Sequence, residues 1–267
     1  MREKFTQVSD FLTCTLKKLD IHCAIIIGSY LTKDKYIDTL SDIDICAFSN
    51  NFYNYTLEDI ADIIINSGEF DFKDKKPKYK DNPIEKSVEF YIVLGDYTYD
   101  ITILPNDIPV SDKLAYSSYY DSFEAIIGTL YLHSSILFGT IPNNDIIRDK
   151  FLPFYDENLR NKRLNVLVNR LISYKEKLNL CIQQKSDDII DYLSKFRIAY
   201  IKFIFILNKC YYIHPEKHLV FQMKNFLNLQ KNKIDILMLV GNQDLFTKSI
   251  KLINEFEKDY MIFLEEI

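Results

Sequence analysis

The sequence predicts an α+β protein in two parts. The first is a mixed, mainly antiparallel sheet flanked by helices, and the second is a helical bundle. Three observations carry this. Strand-length apolar runs at 22–27, 42–48, 87–94 and 97–104 are mixed with helical spacing through the first half of the chain. Gly95-Asp96 separates two of those runs, the signal of a two-residue hairpin, so at least one strand pair is antiparallel. Beyond Pro153 the short runs stop and long amphipathic patterns take over.

In chain order, residues 3–18 show helical spacing, with Phe5, Val8, Phe11, Leu12 and Leu16 on one side. Residues 22–27 read as a buried strand that ends at Gly28, and a helix starts at Ser29. After a loop, Asp42 to Phe48 forms the second strand. Thr56-Leu57-Glu58-Asp59 is a capping pattern opening a helix that runs to about Ser67. The two arms of the hairpin are Ser87–Leu94 and Tyr97–Leu104. Residues 112–132 read as a helix, and Pro142 to Asn144 as a turn. In the second half, helices are expected over 157–184, 187–209, 217–229, 232–240 and 243–265, with Gly241-Asn242 stopping the fourth. The expected domains are 1–150 and 151–267, packed together with a substrate cleft between them.

The two-residue turn fixes a register. Leu94 pairs with Tyr97, Tyr91 with Asp100 and Glu89 with Thr102. Glu89, Tyr91, Asp100 and Thr102 then share one face, and Glu89 becomes a neighbour of Asp100. A solvent-facing strand glutamate is the alternative reading of Glu89.

Composition narrows the class. Of 267 residues 48% are hydrophobic, with 19 Phe and 19 Tyr, enough for a packed core and too apolar for disorder. No apolar run is long enough to span a bilayer, and Met1-Arg2-Glu3-Lys4 opens no signal peptide. The five cysteines are scattered with no Cys-x-x-Cys pair, so a reduced, cytoplasmic protein without a zinc site is expected. The four histidines have no metal-ligand spacing. The net charge of −5 is uneven: residues 151–267 hold 18 Lys/Arg against 14 Asp/Glu (+4), leaving 15 against 24 (−9) for residues 1–150. A basic stripe for long nucleic acid is missing. The nearest run, Lys73 to Lys80, reads as a solvated loop between strands, or else as a rim attracting a triphosphate.

The chemistry lies in three acids. Asp42 and Asp44 are two apart on a strand, so both point to one face while Ile43 and Ile45 point to the other. Like charges so placed repel unless a cation lies between them, and all-oxygen ligands favour Mg²⁺ or Mn²⁺. Asp100 sits in another apolar run, Tyr99-Asp100-Ile101-Thr102-Ile103-Leu104. Gly28-Ser29 combines close backbone approach with a hydroxyl at a helix start, which suits a phosphate.

Gly28-Ser29, a gap, Asp42-Ile43-Asp44 and the later strand acid Asp100 resemble the polymerase-β-like nucleotidyltransferase superfamily. Size and layout are most similar to the bacterial antibiotic nucleotidyltransferases that modify aminoglycosides or lincosamides. The resemblance covers roughly residues 20–142, and Ser134 to Gly139 looks like the short strand closing that catalytic domain. One departure is Tyr30-Leu31-Thr32-Lys33-Asp34-Lys35, where the family has a small tail containing Arg and Gly; Lys33 and Lys35 are the candidates to replace the arginine. The resemblance implies two Mg²⁺ ions on Asp42, Asp44 and Asp100, a nucleoside triphosphate (ATP first) held with help from Gly28 and Ser29, and Asp100 or Glu89 as general base. Residues 207–217 resemble a turn in which a family lysine lies near the triphosphate, making Lys217 the matching candidate and a plain surface lysine its alternative. The implied reaction is transfer of a nucleoside monophosphate to a hydroxyl of a small molecule, an antibiotic-resistance activity. Two alternatives stand beside it: an antitoxin-type enzyme that AMPylates a protein partner, and an inactive fold used for binding.

Overall fold

The first expected helix breaks after Asp10, just ahead of Thr13 and Thr15. In the computed structural model, which describes residues 2–32, 42–67, 77–81, 86–106, 124, 127–154, 156–211 and 219–266, helix α1 spans only Arg2–Asp10. It passes into a π turn, Phe11–Thr15, and a 3₁₀ turn, Lys17–Leu19. The Leu16 amide reaches back five residues to the Phe11 carbonyl at 3.1 Å, and the Thr13 hydroxyl donates to the Ser9 carbonyl at 2.7 Å. A threonine hydroxyl bonded to the carbonyl four residues back loosens a helix. The wider turn lets Phe11, Leu12, Leu16 and Leu19 all enter the core.

Strand β1 is Ile21–Ile27, followed by the one-turn helix α2, Ser29–Thr32. Strand β2 is Ile43–Ser49. Helix α3, Leu57–Ile65, begins with a full capping box: the Thr56 side chain accepts from the Asp59 amide, and the Asp59 carboxylate accepts from the Thr56 amide. Next come β3 (Lys78–Asp81), β4 (Lys86–Leu94) and β5 (Tyr97–Pro105). Lys78 to Lys80 thus belong to an edge strand, correcting the expected loop; all four β3 residues are exposed, so the strand has no apolar alternation to reveal it. Residues 127–132 form a second π turn, and residues 112–123, 125 and 126 of the expected helix lie outside the described residues. Strand β6 (Ser135–Phe138) and helix α4 (Asn144–Phe151) follow.

The sheet has six strands in the order β3-β4-β5-β2-β1-β6. Among the described residues only β2 and β5 pair in parallel; the other four pairings are antiparallel. The β4–β5 hairpin has the register set by Gly95-Asp96: Leu94 opposite Tyr97, Tyr91 opposite Asp100, Glu89 opposite Thr102. One face is buried by α1, the first π turn and α3, through Phe5, Val8, Phe11, Leu12, Ile60 and Ile64 against Ile45, Phe90, Tyr99 and Ile101. The other face carries a smaller apolar cluster at one end, with Cys23, Ile25, Cys46 and Phe48 under Leu130 and Ile141.

The chain divides into two compact units, Met1–Pro153 and Phe154–Ile267. The second is all helical among the described residues: α5 (Glu157–Gln184), α6 (Ile189–Leu207), α7 (Leu219–Asn225), α8 (Lys231–Leu237) and α9 (Leu245–Glu266). Its core is an aromatic ladder in which Phe196, Tyr200 and Phe203 meet Phe256 edge-on. Asp259, buried beside it, accepts from the Tyr200 hydroxyl at 2.6 Å and pairs with Lys233 at 2.6 Å. No helix among the described residues is long and apolar enough to cross a membrane.

Candidate active site

Strand alternation and register build the site in rows. On the sheet face opposite α1 and α3, one row reads Tyr91, Asp100, Asp44 and Ile27 across β4, β5, β2 and β1. The next row reads Lys78, Glu89, Thr102, Cys46 and Ile25 across β3, β4, β5, β2 and β1. Asp42 lies just before β2, two residues from Asp44. Acids thus gather at the start of β2, while the apolar cluster covers the same face at its end. Asp42, Asp44, Glu89, Tyr91 and Asp100 are all half-buried.

Gly28 turns the chain out of β1 at φ +74°. A Cβ at this position would stand 2.3 Å from Asp44 Oδ2, closer than atoms tolerate. The glycine therefore serves twice: it supplies a left-handed conformation, and it leaves room for a carboxylate on the backbone. Ser29 opens α2 immediately afterwards, and the Leu31 amide bonds the Gly28 carbonyl at 3.3 Å. Lys33, Lys35 and Lys217 lie outside the described residues.

The Tyr91 hydroxyl joins the acids. It donates to Glu89 Oε1 at 3.0 Å and also hydrogen-bonds Asp100. Burial pushes the Asp100 carboxyl up to about 6; the Tyr91 hydrogen bond opposes this, and the charges of Glu89, Asp44 and Asp42 reinforce it. Asp100 Oδ1 is buried without a hydrogen-bond partner. Burial, followed by hydrogen bonding to the carboxylates, holds the Tyr91 hydroxyl well above its ordinary range, so it stays a donor. Sequence reasoning put Tyr91 on this face but gave it no task; the signal available was the hairpin register.

A scan against family models finds none that matches the chain, and no curated protein matches it. The site's chemistry therefore rests on its own geometry.

That geometry fits a divalent cation in two respects. The donor atoms are all oxygen, the preference of a hard ion. A carboxyl pushed up by burial and then by three neighbouring carboxylates, with one buried oxygen lacking a hydrogen-bond partner, is what a cation would relieve. Among the described residues, however, no group of three or more His, Cys, Asp or Glu side chains stands ready as a ligand set. The fit lies in the strand register and the donor chemistry, with the two side-chain torsions of each Asp left to bring its oxygens onto an ion.

A separate groove of about 790 Å³ lies between the first π turn and α3, on elements that cover the opposite face. Two of its polar groups are engaged locally: the Asn66 side-chain amide donates to the Asp62 carbonyl at 2.8 Å, and the Ser67 hydroxyl to the Ile64 carbonyl at 2.6 Å. It offers no chemistry comparable to the acidic face.

Proposed function

We propose that the chain is a metal-dependent nucleotidyltransferase. It moves a nucleoside monophosphate, AMP first among the candidates, from a nucleoside triphosphate onto a hydroxyl of a small molecule. Aminoglycosides and lincosamides are the acceptors to test first. The observation that supports this best is the pairing of Asp44 with Asp100 across β2 and β5, with Gly28 opened beneath the Asp44 carboxylate.

In this reading Asp42, Asp44 and Asp100 hold Mg²⁺, which when bound neutralises phosphate charge and orients the reacting oxygens. Gly28 and the start of α2 accept the triphosphate at close range, since no Cβ stands in the way. Glu89 is the general base. Asp100 is committed to the cation, and a carboxylate bound to a cation is a poor base. Glu89 is one row further from Asp44 on the same face, within reach of an acceptor hydroxyl beside Asp100. It takes the hydroxyl proton as the acceptor oxygen bonds to the α-phosphorus. The bond between the α-phosphorus and the bridging oxygen breaks, and pyrophosphate leaves with that electron pair. Most of the rate in such a reaction comes from positioning and charge neutralisation.

The test is incubation with each of labelled ATP, GTP, CTP and UTP, Mg²⁺ and a panel of aminoglycosides and lincosamides, read by mass spectrometry. A mass gain of one nucleotide on a drug is expected, and it should vanish in Asp42→Asn and Asp44→Asn variants that keep the wild-type melting temperature. Transfer that survives both substitutions sinks the reading. A gain on a protein instead of a drug would replace the acceptor class and leave the chemistry standing.

A further inference from the structure

We infer that Tyr91 is a positioning residue that holds the Glu89 carboxylate turned toward Asp100, and that this hydrogen bond sets the turnover rate without contributing to nucleotide binding. The inference rests on the nucleotidyltransferase reading and deepens it.

The two residues lie two apart on β4, so both side chains stand on the acidic face. The Tyr91 hydroxyl donates to Glu89 Oε1 at 3.0 Å, and Tyr91 itself is the register partner of Asp100. A glutamate on a strand face has three side-chain torsions and many accessible rotamers. Its register neighbour on β3, Lys78, is exposed, so that side of Glu89 opens toward solvent. Tyr91, half-buried and stiff, draws it back toward Asp100. A base swung outward keeps its charge but loses the geometry on which proton abstraction depends. Tyr91 lies two strands from Asp44 and three from the end of β1 that leads into Gly28, away from the proposed triphosphate site. Its hydroxyl also hydrogen-bonds Asp100, and saturating Mg²⁺ keeps any effect through that carboxylate out of the nucleotide KM.

The experiment is a double-mutant cycle on Tyr91→Phe and Glu89→Gln. It uses the nucleotide and acceptor that give transfer with the wild type, saturating Mg²⁺, and kcat and nucleotide KM as separate readouts. Phenylalanine keeps the ring and removes only the hydroxyl. The expected result is a fall in kcat of about 10- to 100-fold with nucleotide KM within about twofold. In the Glu89→Gln background the same change should alter kcat by less than about twofold, since a residue acting through Glu89 has nothing left to act on. If Tyr91→Phe does not fold, Tyr91→Met takes its place in the same cycle: it also removes the hydroxyl, and it should lower kcat beside Glu89 and leave it nearly unchanged beside Glu89→Gln. An unchanged kcat in Tyr91→Phe overturns the inference, as does an equal loss in the Glu89→Gln background or a parallel rise in nucleotide KM. A wild type that transfers nothing from any nucleotide to any acceptor overturns the functional reading itself, and the inference with it. That failure appears before any substitution is made, so the two are told apart.

Discussion

At the scale of single residues, the site turns on how little room the backbone leaves. Gly28 combines φ +74° with a neighbouring carboxylate that a Cβ would meet at 2.3 Å. Gly28→Ala should therefore cost about 1–2 kcal/mol of stability for the left-handed residue alone. It should also displace Asp44 and lower transfer far more than that loss implies. Urea denaturation beside the transfer assay checks both, and full activity in a destabilised variant would contradict the close approach. Asp100 makes a second prediction, through pH. Its folded-state value of about 6 lies above the ordinary 3.8, so the folded protein holds this proton more tightly than the unfolded chain does. The associated stability is present below pH 3.8 and is lost as pH rises through 6. With a chelator present, Asp100→Asn should gain on the wild type between pH 4 and 7. The gain is on the order of 1 kcal/mol once partial solvent exposure is allowed for. A stability difference that stays flat with pH rules out a strained Asp100 carboxyl. Adding Mg²⁺ should raise the wild-type melting temperature more than that of the variant.

At the scale of elements, a few side chains that close helix ends hold the helical unit together. Arg160, near the start of α5, is 6% exposed and spans to the end of α6, where Nε donates to the Ile206 carbonyl at 3.2 Å and Nη2 to the Leu207 carbonyl at 2.7 Å. The last carbonyls of a helix lack partners within it. The buried guanidinium bonds the Leu207 carbonyl and adds a second donor to the Ile206 carbonyl, which also accepts from the Lys209 amide at 3.0 Å. Arg160→Met should cost about 2–3 kcal/mol, and Arg160→Lys should recover little, because one ammonium cannot serve both carbonyls. A loss below about 0.5 kcal/mol in urea denaturation would show the cap to be dispensable. How legible such elements are in sequence depends on the strength of their local signal. The β4–β5 register was fully legible, because Gly95-Asp96 sets the turn and alternation fixes every pair that follows. It carried Glu89 and Tyr91 to Asp100 before any coordinates. The break after Asp10 was not legible: Phe11, Leu12 and Leu16 fit an α-helical face and a π turn equally well. Helix α4 was missed because, in it, only Ile147 and Phe151 are buried apolar residues, too few to make a periodic stripe. The contact between the Tyr91 hydroxyl and Glu89 needed side-chain torsions that no register supplies.

At the scale of the whole molecule, charge decides which substrates can approach. Residues 1–150 hold 24 acidic and 15 basic residues, a net −9, and the sheet gathers Asp42, Asp44, Glu89 and Asp100 on one face. The basic residues paired into that face, Lys78 and Lys80, lie on the exposed edge strand β3, opposite Glu89 and Ser87. A protein that works on long nucleic acid does the opposite: it spreads lysines and arginines along a track of phosphates and gains affinity by releasing their counterions. A single nucleotide carrying its own Mg²⁺ needs no such track, because the cation offsets the phosphate charge. The charge distribution therefore supports the proposed single-nucleotide substrate on a ground separate from the resemblance in Gly28, Asp42 and Asp44. A fluorescent 20-base-pair duplex and a single strand of the same length should show no anisotropy change up to about 100 µM protein at 50 mM KCl, weaker than ordinary non-specific binding. Mg²⁺ with a non-hydrolysable triphosphate should meanwhile raise the melting temperature. Micromolar binding of either strand, falling steeply with salt, would mean that a basic surface dominates the molecule after all, and the small-molecule acceptor would have to give way to a polymer.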